Sequence, residues 1–408
     1  MTRLTSHLDA IGSADARIAE TLTAWSNVNS GSGNLPGIER MADLATAAFG
    51  ALNYDVRKLV SNPVASIDPA GREVMSPRGP MLHFSTRPNA SKRIMLAGHL
   101  DTVFPETSAF QSVAKRPDGT LHGPGVADMK GGLLIMLEAL KCFEASPFAA
   151  DVGIDVVLNS DEEIASHASH EYMEKIATGA DAGFVFEPAL ADGTLAGARA
   201  GSGNYDVVVR GRAAHAGREF LAGRNAIAGA ARVIGALDAL NGQRKDVTLN
   251  IGLVSGGVAL NVVPDTAVVR LNIRARTPED LAWIDAAIRD TIAKGVFGPD
   301  IETSLHGRIH RPAKPMTGSL QALFETVKAA GADIGQPIAW APTGGCCDGN
   351  NLSAAGLPNV DTMGVRGAYI HSDEEYAVIE SFTERARLAA LSMLMLASGE
   401  ARWPKELA

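Results

Sequence analysis

The chain has 408 residues, of which 46% are hydrophobic and 20% charged, and its formal net charge at pH 7 is -9. This length exceeds what a single hydrophobic core usually supports, so two domains are expected. The negative balance argues against a general nucleic-acid binder, because no basic excess is present to displace counterions from phosphates. Small-molecule chemistry is the favoured class of function.

The amino-terminal segment bears on the cellular location of the protein. Residues 1–22 alternate charges in the pattern of an amphipathic helix and lack the apolar core of a signal peptide, and no apolar run in the sequence reaches the length of a membrane span. We therefore expect a cytoplasmic protein with no membrane partner.

Cys142, Cys346 and Cys347 are expected to be reduced thiols, since they make no disulfide framework.

Strand-like and helical patterns alternate along the first half of the chain, which indicates an α/β fold with a mostly parallel sheet. Three of the strand-like runs are followed by potential metal ligands, and sites in open α/β sheets form beyond the carboxyl ends of the strands. The predicted elements are a helix at 37–52, strands at 54–60, 81–85 and 93–97, a helix at 130–144, a strand at 151–158, a helix at 166–178 and a strand at 182–186.

Asp128 comes out of a glycine-rich loop, His122 to Gly132, directly into the helical run. It is expected at or beside the helix N-cap, where free N–H groups and the helix dipole favour an ionised side chain. His99 and Asp101 follow the strand at 93–97 and lie on one face of extended chain. In such a pair the acid can accept from the ring N–H and leave the other nitrogen for a cation.

From about residue 200 the predicted order becomes β-α-β-β-α-β, which is typical of a ferredoxin-like unit. We predict that this unit, residues 200–312, is inserted into a discontinuous first domain of residues 1–199 and 313–408. The remaining predictions for the first domain are a helix at 320–330, a loop at 342–351, a short strand near Val360 and a closing helix at 377–397.

Two imidazoles and three carboxylates thus follow strands or loops at one predicted sheet edge. A mixed set of this kind suits zinc and tolerates cobalt or manganese. Two divalent cations contribute about +4, three carboxylates about -3, and a bridging hydroxide brings the site near neutrality. The set consists of His99, Asp128, Glu163, Glu187 and His371.

In its motifs the chain resembles the M20 family of dinuclear zinc metallopeptidases and amidohydrolases, and within it the glutamate carboxypeptidase, carboxypeptidase G2-like, branch. The matching stretches occur in family order over nearly the whole chain. They are Gly98-His-Leu-Asp-Thr-Val-Phe104, Gly123-Pro-Gly-Val-Ala-Asp-Met-Lys-Gly-Gly132, Ser160-Asp-Glu-Glu163, Phe186-Glu-Pro188, Ala213-Ala-His-Ala-Gly217, Asn261-Val-Val-Pro264 and His371-Ser-Asp373.

The resemblance implies a zinc-peptidase-like three-layer α/β/α catalytic domain with an inserted ferredoxin-like dimerisation or lid domain. It also implies two zinc ions bridged by Asp128, one completed by His99 and Glu187 and the other by Glu163 and His371. Residue chemistry alone does not separate Glu162 from Glu163, but the resemblance makes Glu162 the general base. It makes Asp101 the residue that orients the His99 ring.

For substrate contacts, the resemblance places His215 across a homodimer in the partner's site, where it helps to stabilise the oxyanion. It places Asn261 and Arg274 near the substrate carboxylate. Gly344 and Gly345 are expected to present backbone N–H groups to that carboxylate. Arg311 and Arg366 either contact a carboxylate as well or lie on the surface. Cys347 stands before Asp348 where relatives often carry Ser or Thr, which bears on specificity more than on reaction type.

The function predicted is metal-dependent hydrolysis of an amide bond next to a free carboxylate, through a metal-bridging hydroxide and the Glu162 base, releasing a C-terminal amino acid of the glutamate type. N-acyl-amino-acid or acetylornithine deacylation and, further away, dipeptide hydrolysis use the same machinery. A non-catalytic metal-binding or amino-acid-binding protein is the alternative from another class.

Overall fold

The computed structural model describes residues 3–407, which contain nine α-helices. None of these helices combines the length and apolar character needed to cross a membrane. The helices are Asp15–Ser26, Leu35–Phe49, Lys130–Glu144, His170–Thr178, Ala226–Asp238, Pro278–Lys294, Gly318–Asp333, Asp348–Ala354 and Ser381–Ser398.

A six-stranded mixed sheet lies at the centre of the first domain. Its last four strands in the spatial order are mutually parallel, and the second is antiparallel to both of its neighbours. In spatial order the strands are Asp55–Leu59, Met81–Thr86, Val152–Asn159, Lys92–His99, Ala182–Val185 and Asn359–Val360.

Both faces of this sheet are covered, as the central strand Lys92–His99 shows. Ile94 and Leu96 pack in the larger core with helices Lys130–Glu144 and Ser381–Ser398, while Met95 and Ala97 point the other way. That second face is covered by helices His170–Thr178 and Asp348–Ala354. Because successive strand residues alternate in direction, one apolar run can supply both cores. The predicted three-layer α/β/α architecture is confirmed.

A second sheet of four antiparallel strands carries two helices, Ala226–Asp238 and Pro278–Lys294, with a hydrophobic core of its own. The chain order is the predicted β-α-β-β-α-β, and the ferredoxin-like fold is confirmed. The boundaries at 199/200 and 312/313 stay a prediction. In spatial order the strands are Thr248–Gly256, Thr266–Ala275, Gly201–Arg210 and Glu302–Arg311.

Short strands connect the loops around the main sheet. A small antiparallel sheet joins the chain after residue 367 to the chain before Asp128, because Tyr376 pairs with His122. The pairs are Gly367–Ala368 with Tyr376–Val378, Tyr376–Val378 with Thr120–His122, Thr120–His122 with Ala114–Lys115, Leu195–Arg199 with Trp340–Thr343, Val64–Ile67 with Glu73–Ser76 and Ala214–His215 with Val262–Val263.

Two predicted helix starts are wrong. The closing helix begins at Ser381 rather than 377, because residues 376–378 form a strand against Thr120–His122. The helix predicted at 166–178 begins at His170. Its expected first turn is replaced by contacts to Asp161, whose carboxylate accepts from the Ala168 N–H and the Ser169 hydroxyl.

Two further segments differ from their predicted form. The segment predicted as a loop at 342–351 contains the end of strand Trp340–Thr343 and the start of helix Asp348–Ala354, which is capped by the Cys347 thiol. The amphipathic amino-terminal segment is divided into a 3-10 helix, Arg3–Ala10, and the helix Asp15–Ser26. Residues 1 and 2 of that segment lie outside the described residues.

Candidate metal centre

The five predicted metal ligands all lie at one edge of the central sheet, in the turns that follow its strands or face their ends. His371 has a left-handed backbone conformation with φ of 65°. The others follow from element ends: His99 closes strand Lys92–His99, Asp128 precedes helix Lys130–Glu144, Glu163 lies in the turn after strand Val152–Asn159, and Glu187 follows strand Ala182–Val185.

Asp128 lies between the two histidines and uses a different oxygen for each. Its Oδ1 is 3.1 Å from Nε2 of His99, and its Oδ2 is 3.3 Å from Nε2 of His371. Glu187 Oε1 is 3.8 Å from His99 Nε2, and Glu163 Oε2 is 3.2 Å from His371 Nε2. The structure thus brings all five side chains together as two sets that share Asp128.

These separations suit metal coordination. Two ligands about 2.1 Å from one zinc ion at a tetrahedral angle are about 3.4 Å apart, close to the distances found. Glu163 Oε1 is buried without a hydrogen-bond partner, as expected for an oxygen reserved for a cation. Ligand atoms of His99, Asp128 and Glu163 lie within 4.8 Å of one another, as do those of His99, Glu162 and Glu187. The residues fit a pair of divalent cations.

Crowded acids and histidines in a buried place shift one another's protonation. Hydrogen bonds to Asp128 and Glu163 raise the pKa of His371 to about 11. Burial opposes protonation of His99, yet its acidic neighbours raise its pKa well above the usual value. Burial together with the charge of Asp128 raises the pKa of Glu163 to about 7. Protons on these groups offset the negative charge where cations would otherwise do so.

Asp101 contacts His99 through a different oxygen from the one expected. The Nδ1 of His99 is 2.9 Å from the backbone carbonyl oxygen of Asp101 and 3.5 Å from its carboxylate. The shorter contact identifies the carbonyl as the group that orients the ring. The carboxylate instead accepts from the Ser32 hydroxyl and from the N–H groups of Glu162 and Glu163. It therefore fixes the turn that carries both glutamates.

The structure gives Glu162 and Glu163 different hydrogen-bond partners. Glu163 is directed at His371, whereas Glu162 Oε1 accepts a 2.7 Å hydrogen bond from Arg311. Burial raises the pKa of Glu162 well above its usual value and outweighs the attraction of Arg311. Glu162 also lines the same cavity as Asp128, so it can reach a water near the metal ligands.

Arg311 belongs to the site, whereas Arg366 does not. A shift in strand register between Ser202 and Gly203 leaves the end of strand Glu302–Arg311 bulged, and bulges redirect side chains. Arg311 is 2% exposed and binds Glu162 and Asp348. Arg366 instead pairs with Glu380 and Glu384. The carboxylates that both arginines contact belong to the protein, so contact of either one with a substrate carboxylate stays a prediction.

Glu375 is a structural element of the site that the sequence reasoning missed. Its carboxylate accepts from the backbone N–H groups of Gly125, Ala127 and Asp128, at 2.8 to 3.0 Å. It thereby joins the His371 loop to the Asp128 loop. The only feature of the sequence that could have indicated Glu375 is its position four residues after His371.

A cavity of about 480 Å³ opens in front of the metal ligands. Arg274 lines it and donates a 2.8 Å hydrogen bond to the carbonyl of Gly344. Gly344 itself is not among the lining residues. Gly345 lines it, but its N–H donates to the Thr343 hydroxyl. The Gly345 N–H thus has a partner within the loop, and presentation of the Gly344 and Gly345 N–H groups to a substrate carboxylate stays a prediction. The other lining residues include Leu190, Leu195, Ala196, Arg199, Ala341, Pro342, Cys346, Cys347 and Ile370.

Residues 95–394 match the model of peptidase family M20/M25/M40. The chain belongs to this family. Its members are metal-dependent hydrolases, and the predicted resemblance and enzyme class are confirmed.

Relatives within the M20 family differ in substrate. Carboxypeptidase G2 of Pseudomonas sp. (strain RS-16) is 26% identical over 94% of this chain and 90% of its own length. A putative succinyl-diaminopimelate desuccinylase of Mycobacterium tuberculosis is 31% identical over 68% of this chain and 75% of its own length. The structure of a tripeptidase from Staphylococcus aureus covers 94% of this chain and 99% of its own at 22% identity, with a TM-score of 0.72.

Two of the residues implied by the M20 resemblance lie away from this chain's cavity. His215 is exposed on the short strand Ala214–His215, and Asn261 is exposed nearby, where its carbonyl accepts from Ala216. Neither lines the cavity. The expectations that His215 acts in a partner's site and that Asn261 lies near the substrate carboxylate stay predictions.

Proposed function

We propose that the chain hydrolyses the amide bond next to a free carboxylate and releases a C-terminal amino acid, as a carboxypeptidase of the glutamate type. The observation that carries this proposal is Asp128 between His99 and His371, one oxygen directed at each ring. Two zinc ions per subunit, replaceable by cobalt or manganese, fit this set. We further propose a cytoplasmic homodimer joined through the inserted domain.

Side chains of this chain would divide the reaction between them. His99, Asp128 and Glu187 would hold one cation, and Asp128, Glu163 and His371 the other. Such cations lower the pKa of a water and polarise the scissile carbonyl. Glu162 takes the proton of the attacking water and delivers it to the departing amine. Its contact with Arg311 holds the carboxylate beside the cavity.

Recognition of a free carboxylate is supported by Arg274. Its guanidinium lines the cavity, and no acidic side chain of residues 3–407 forms an ion pair with it. Its acceptors are neutral, the Gly344 carbonyl at 2.8 Å and the Cys346 sulfur at 3.9 Å. A carboxylate adds charge–charge attraction that a neutral acceptor lacks and can bind a guanidinium through two hydrogen bonds, so a substrate carboxylate can displace these partners.

Deacylation of an N-acyl amino acid is the second candidate, and the similarity to a desuccinylase favours it. It uses the same cations and base but removes the acyl group from a diamino acid such as ornithine or diaminopimelate. The two candidates therefore differ in the amino acid that is released, which is acidic or apolar in the first and a diamino acid in the second.

A substrate panel on the zinc-loaded full chain tests the proposal. N-acyl-glutamates, N-acyl-leucines, dipeptides, N-acetylornithine and N-succinyl-diaminopimelate would be compared by mass-spectrometric detection of products. Release of glutamate or leucine from the acyl-amino acids, in preference to release of ornithine or diaminopimelate, supports the carboxypeptidase. Cleavage of acetylornithine or succinyl-diaminopimelate alone would replace it with the deacylase. A metal-replete protein inert on every amide would indicate a binding protein.

A further inference from the structure

Arg199 is a cation of the cavity that the sequence motifs do not point to. It is the last residue of strand Leu195–Arg199, which runs parallel to strand Trp340–Thr343. Its guanidinium is 8% exposed and lines the cavity in front of the metal ligands. A position on a paired strand gives it a fixed backbone, as a specificity residue requires.

Arg199 lies in a buried cluster whose charges do not balance. Its Nη2 donates a 2.8 Å hydrogen bond to Asp361 Oδ1, and Lys314 Nζ donates a 2.6 Å hydrogen bond to Asp361 Oδ2. The remaining partner of Lys314 is the neutral Asn359 side chain. Lys314 and Asp361 are both fully buried. Within this cluster two cations share one carboxylate; the charge of Glu187 also acts on Arg199, but Glu187 is one of the proposed metal ligands. Buried charge is costly unless it is paired, so an anion is favoured there.

The second nitrogen of Arg199 already faces a weak acceptor. Its Nη1 is 3.3 Å from the carbonyl oxygen of Gly345, and Arg274 donates to the carbonyl of Gly344. Consecutive carbonyls of one loop therefore accept from two guanidinium groups at the same part of the cavity. A ligand with two carboxylates offers each guanidinium a charged acceptor in place of a neutral one.

Part of the cavity wall is apolar, since Leu195, Ala196, Ala341 and Pro342 line it. Such walls fit the methylene groups of a short side chain, and a few placed polar groups then determine its orientation. A side chain with an apolar stem and an acidic end meets both conditions.

We propose that Arg199 binds the side-chain carboxylate of an acidic C-terminal amino acid while Arg274 binds its α-carboxylate. The inference rests on the proposed function and names the residue that reads the side chain. Glutamate and aspartate are the amino acids of this class.

Glutamine is a neutral near-isostere of glutamate, so the ratio of kcat/KM for N-acyl-glutamate over N-acyl-glutamine isolates the side-chain charge. We expect the wild-type ratio to exceed about 10, and Arg199→Met to bring it close to 1, mainly through KM for the glutamate substrate. Arg199→Lys should retain part of the preference. Lys314→Met removes the other cation without removing a cavity contact, so it should lower the ratio less than Arg199→Met does.

Inhibition provides a measurement that does not depend on the variants. Glutarate, with two carboxylates, should inhibit the wild-type enzyme more strongly than butyrate, with one. The inference is overturned if glutarate inhibits no more strongly than butyrate. It is also overturned if Arg199→Met lowers kcat/KM for N-acyl-glutamate and N-acyl-glutamine by the same factor, as Lys314→Met would if it acted only on the fold. Release of neutral amino acids without a glutamate preference also overturns it but leaves the proposed function standing. No release from any acyl-amino acid would overturn the proposed function itself.

Discussion

Adjacent carboxylates at this site have different partners, which suits the different roles proposed for them. Glu163 has one oxygen near His371 and one buried oxygen without a partner, whereas Glu162 is held by Arg311. Residue type predicts that such a pair can supply a ligand and a base. It does not say which is which, because the choice depends on a histidine more than 200 positions away in the chain, His371.

Glu162→Gln tests the division directly. Because Glu162 would transfer protons without holding a cation, kcat should fall by about 10²- to 10⁴-fold while the metal content per chain is retained. Glu163→Gln is the matched control, and it should lose bound metal along with activity. Elemental analysis beside steady-state kinetics gives both quantities. Metal loss in Glu162→Gln with full occupancy in Glu163→Gln would reverse the assignment.

Asp155 offers a pH test away from the metal ligands. Burial alone would raise its pKa, but hydrogen bonds from His83 and Arg93 hold the pKa below its usual value. A carboxyl group whose pKa is lower in the folded state stabilises the fold above its unfolded pKa of about 3.9. That contribution is lost as the pH falls through the folded pKa.

Asp155→Asn should therefore lower the free energy of unfolding by about 1–3 kcal/mol at pH 7. The difference from the wild type should shrink as the pH falls below about 4. Urea unfolding at several pH values measures it, with the exposed Asp9→Asn as control. A difference that does not change with pH would mean that Asp155 contributes through packing instead.

At the scale of elements, the ends of strands and helices place the site, and tight helix packing holds those ends. Helix Lys130–Glu144 lies against the backbone just before Glu187, and it can do so because residue 132 is glycine. A Cβ atom added to Gly132 would lie 2.0 Å from the carbonyl oxygen of Phe186. The glycines after Asp128 thus allow close approach of two backbones, as their pattern in the sequence suggests.

Gly132→Ala should destabilise the protein, because the helix or the Glu187 segment must move to relieve this overlap. We expect a loss of about 1–3 kcal/mol and weaker metal binding. Gly235→Ala is the matched control, since it is also inside a helix but has nothing within 4 Å of the added Cβ. It should raise stability by about 0.5–1 kcal/mol. Thermal unfolding measures the stability of both variants, and metal titration measures their metal affinity. Equal changes in the two variants would refute the packing argument.

At the scale of the whole molecule, cations would join loops that are far apart in the sequence. Removal of metal should lower the melting temperature, because Asp128, Glu163 and Glu187 are then left as clustered acids and binding no longer favours the folded state. Differential scanning fluorimetry before and after verified chelation measures the shift, and added zinc should restore it. His371→Ala should show a reduced shift. An unchanged melting temperature after complete metal removal contradicts the site.

The exposed position of His215 leads to a prediction about assembly. If it acts in the partner's site, His215→Ala should lose about 3–4 kcal/mol of transition-state stabilisation. A mixture of His215→Ala and Glu162→Gln subunits should then regain activity, because each mixed dimer contains one site with both residues intact. Activity after subunit exchange is the measurement. If activity is not recovered although labelled subunits show that exchange has occurred, His215 does not act in the partner's site.

Alternating apolar periods are local patterns, so the sequence by itself determined the α/β class and the ferredoxin-like order of elements, and its motifs implied the three-layer architecture through the family resemblance. Residue types and positions after strands or in loops also indicated a metal set, although they did not separate Glu162 from Glu163. The tertiary structure decided what depends on pairing across distance. Residues 376–378 became a strand against Thr120–His122, the Asp101 carbonyl rather than its carboxylate met His99, and Arg311 turned inward at a bulge. Strand pairing places Arg199 at the cavity, and its hydrogen bond with Asp361 joins residues 162 positions apart. Neither has a local pattern in the sequence.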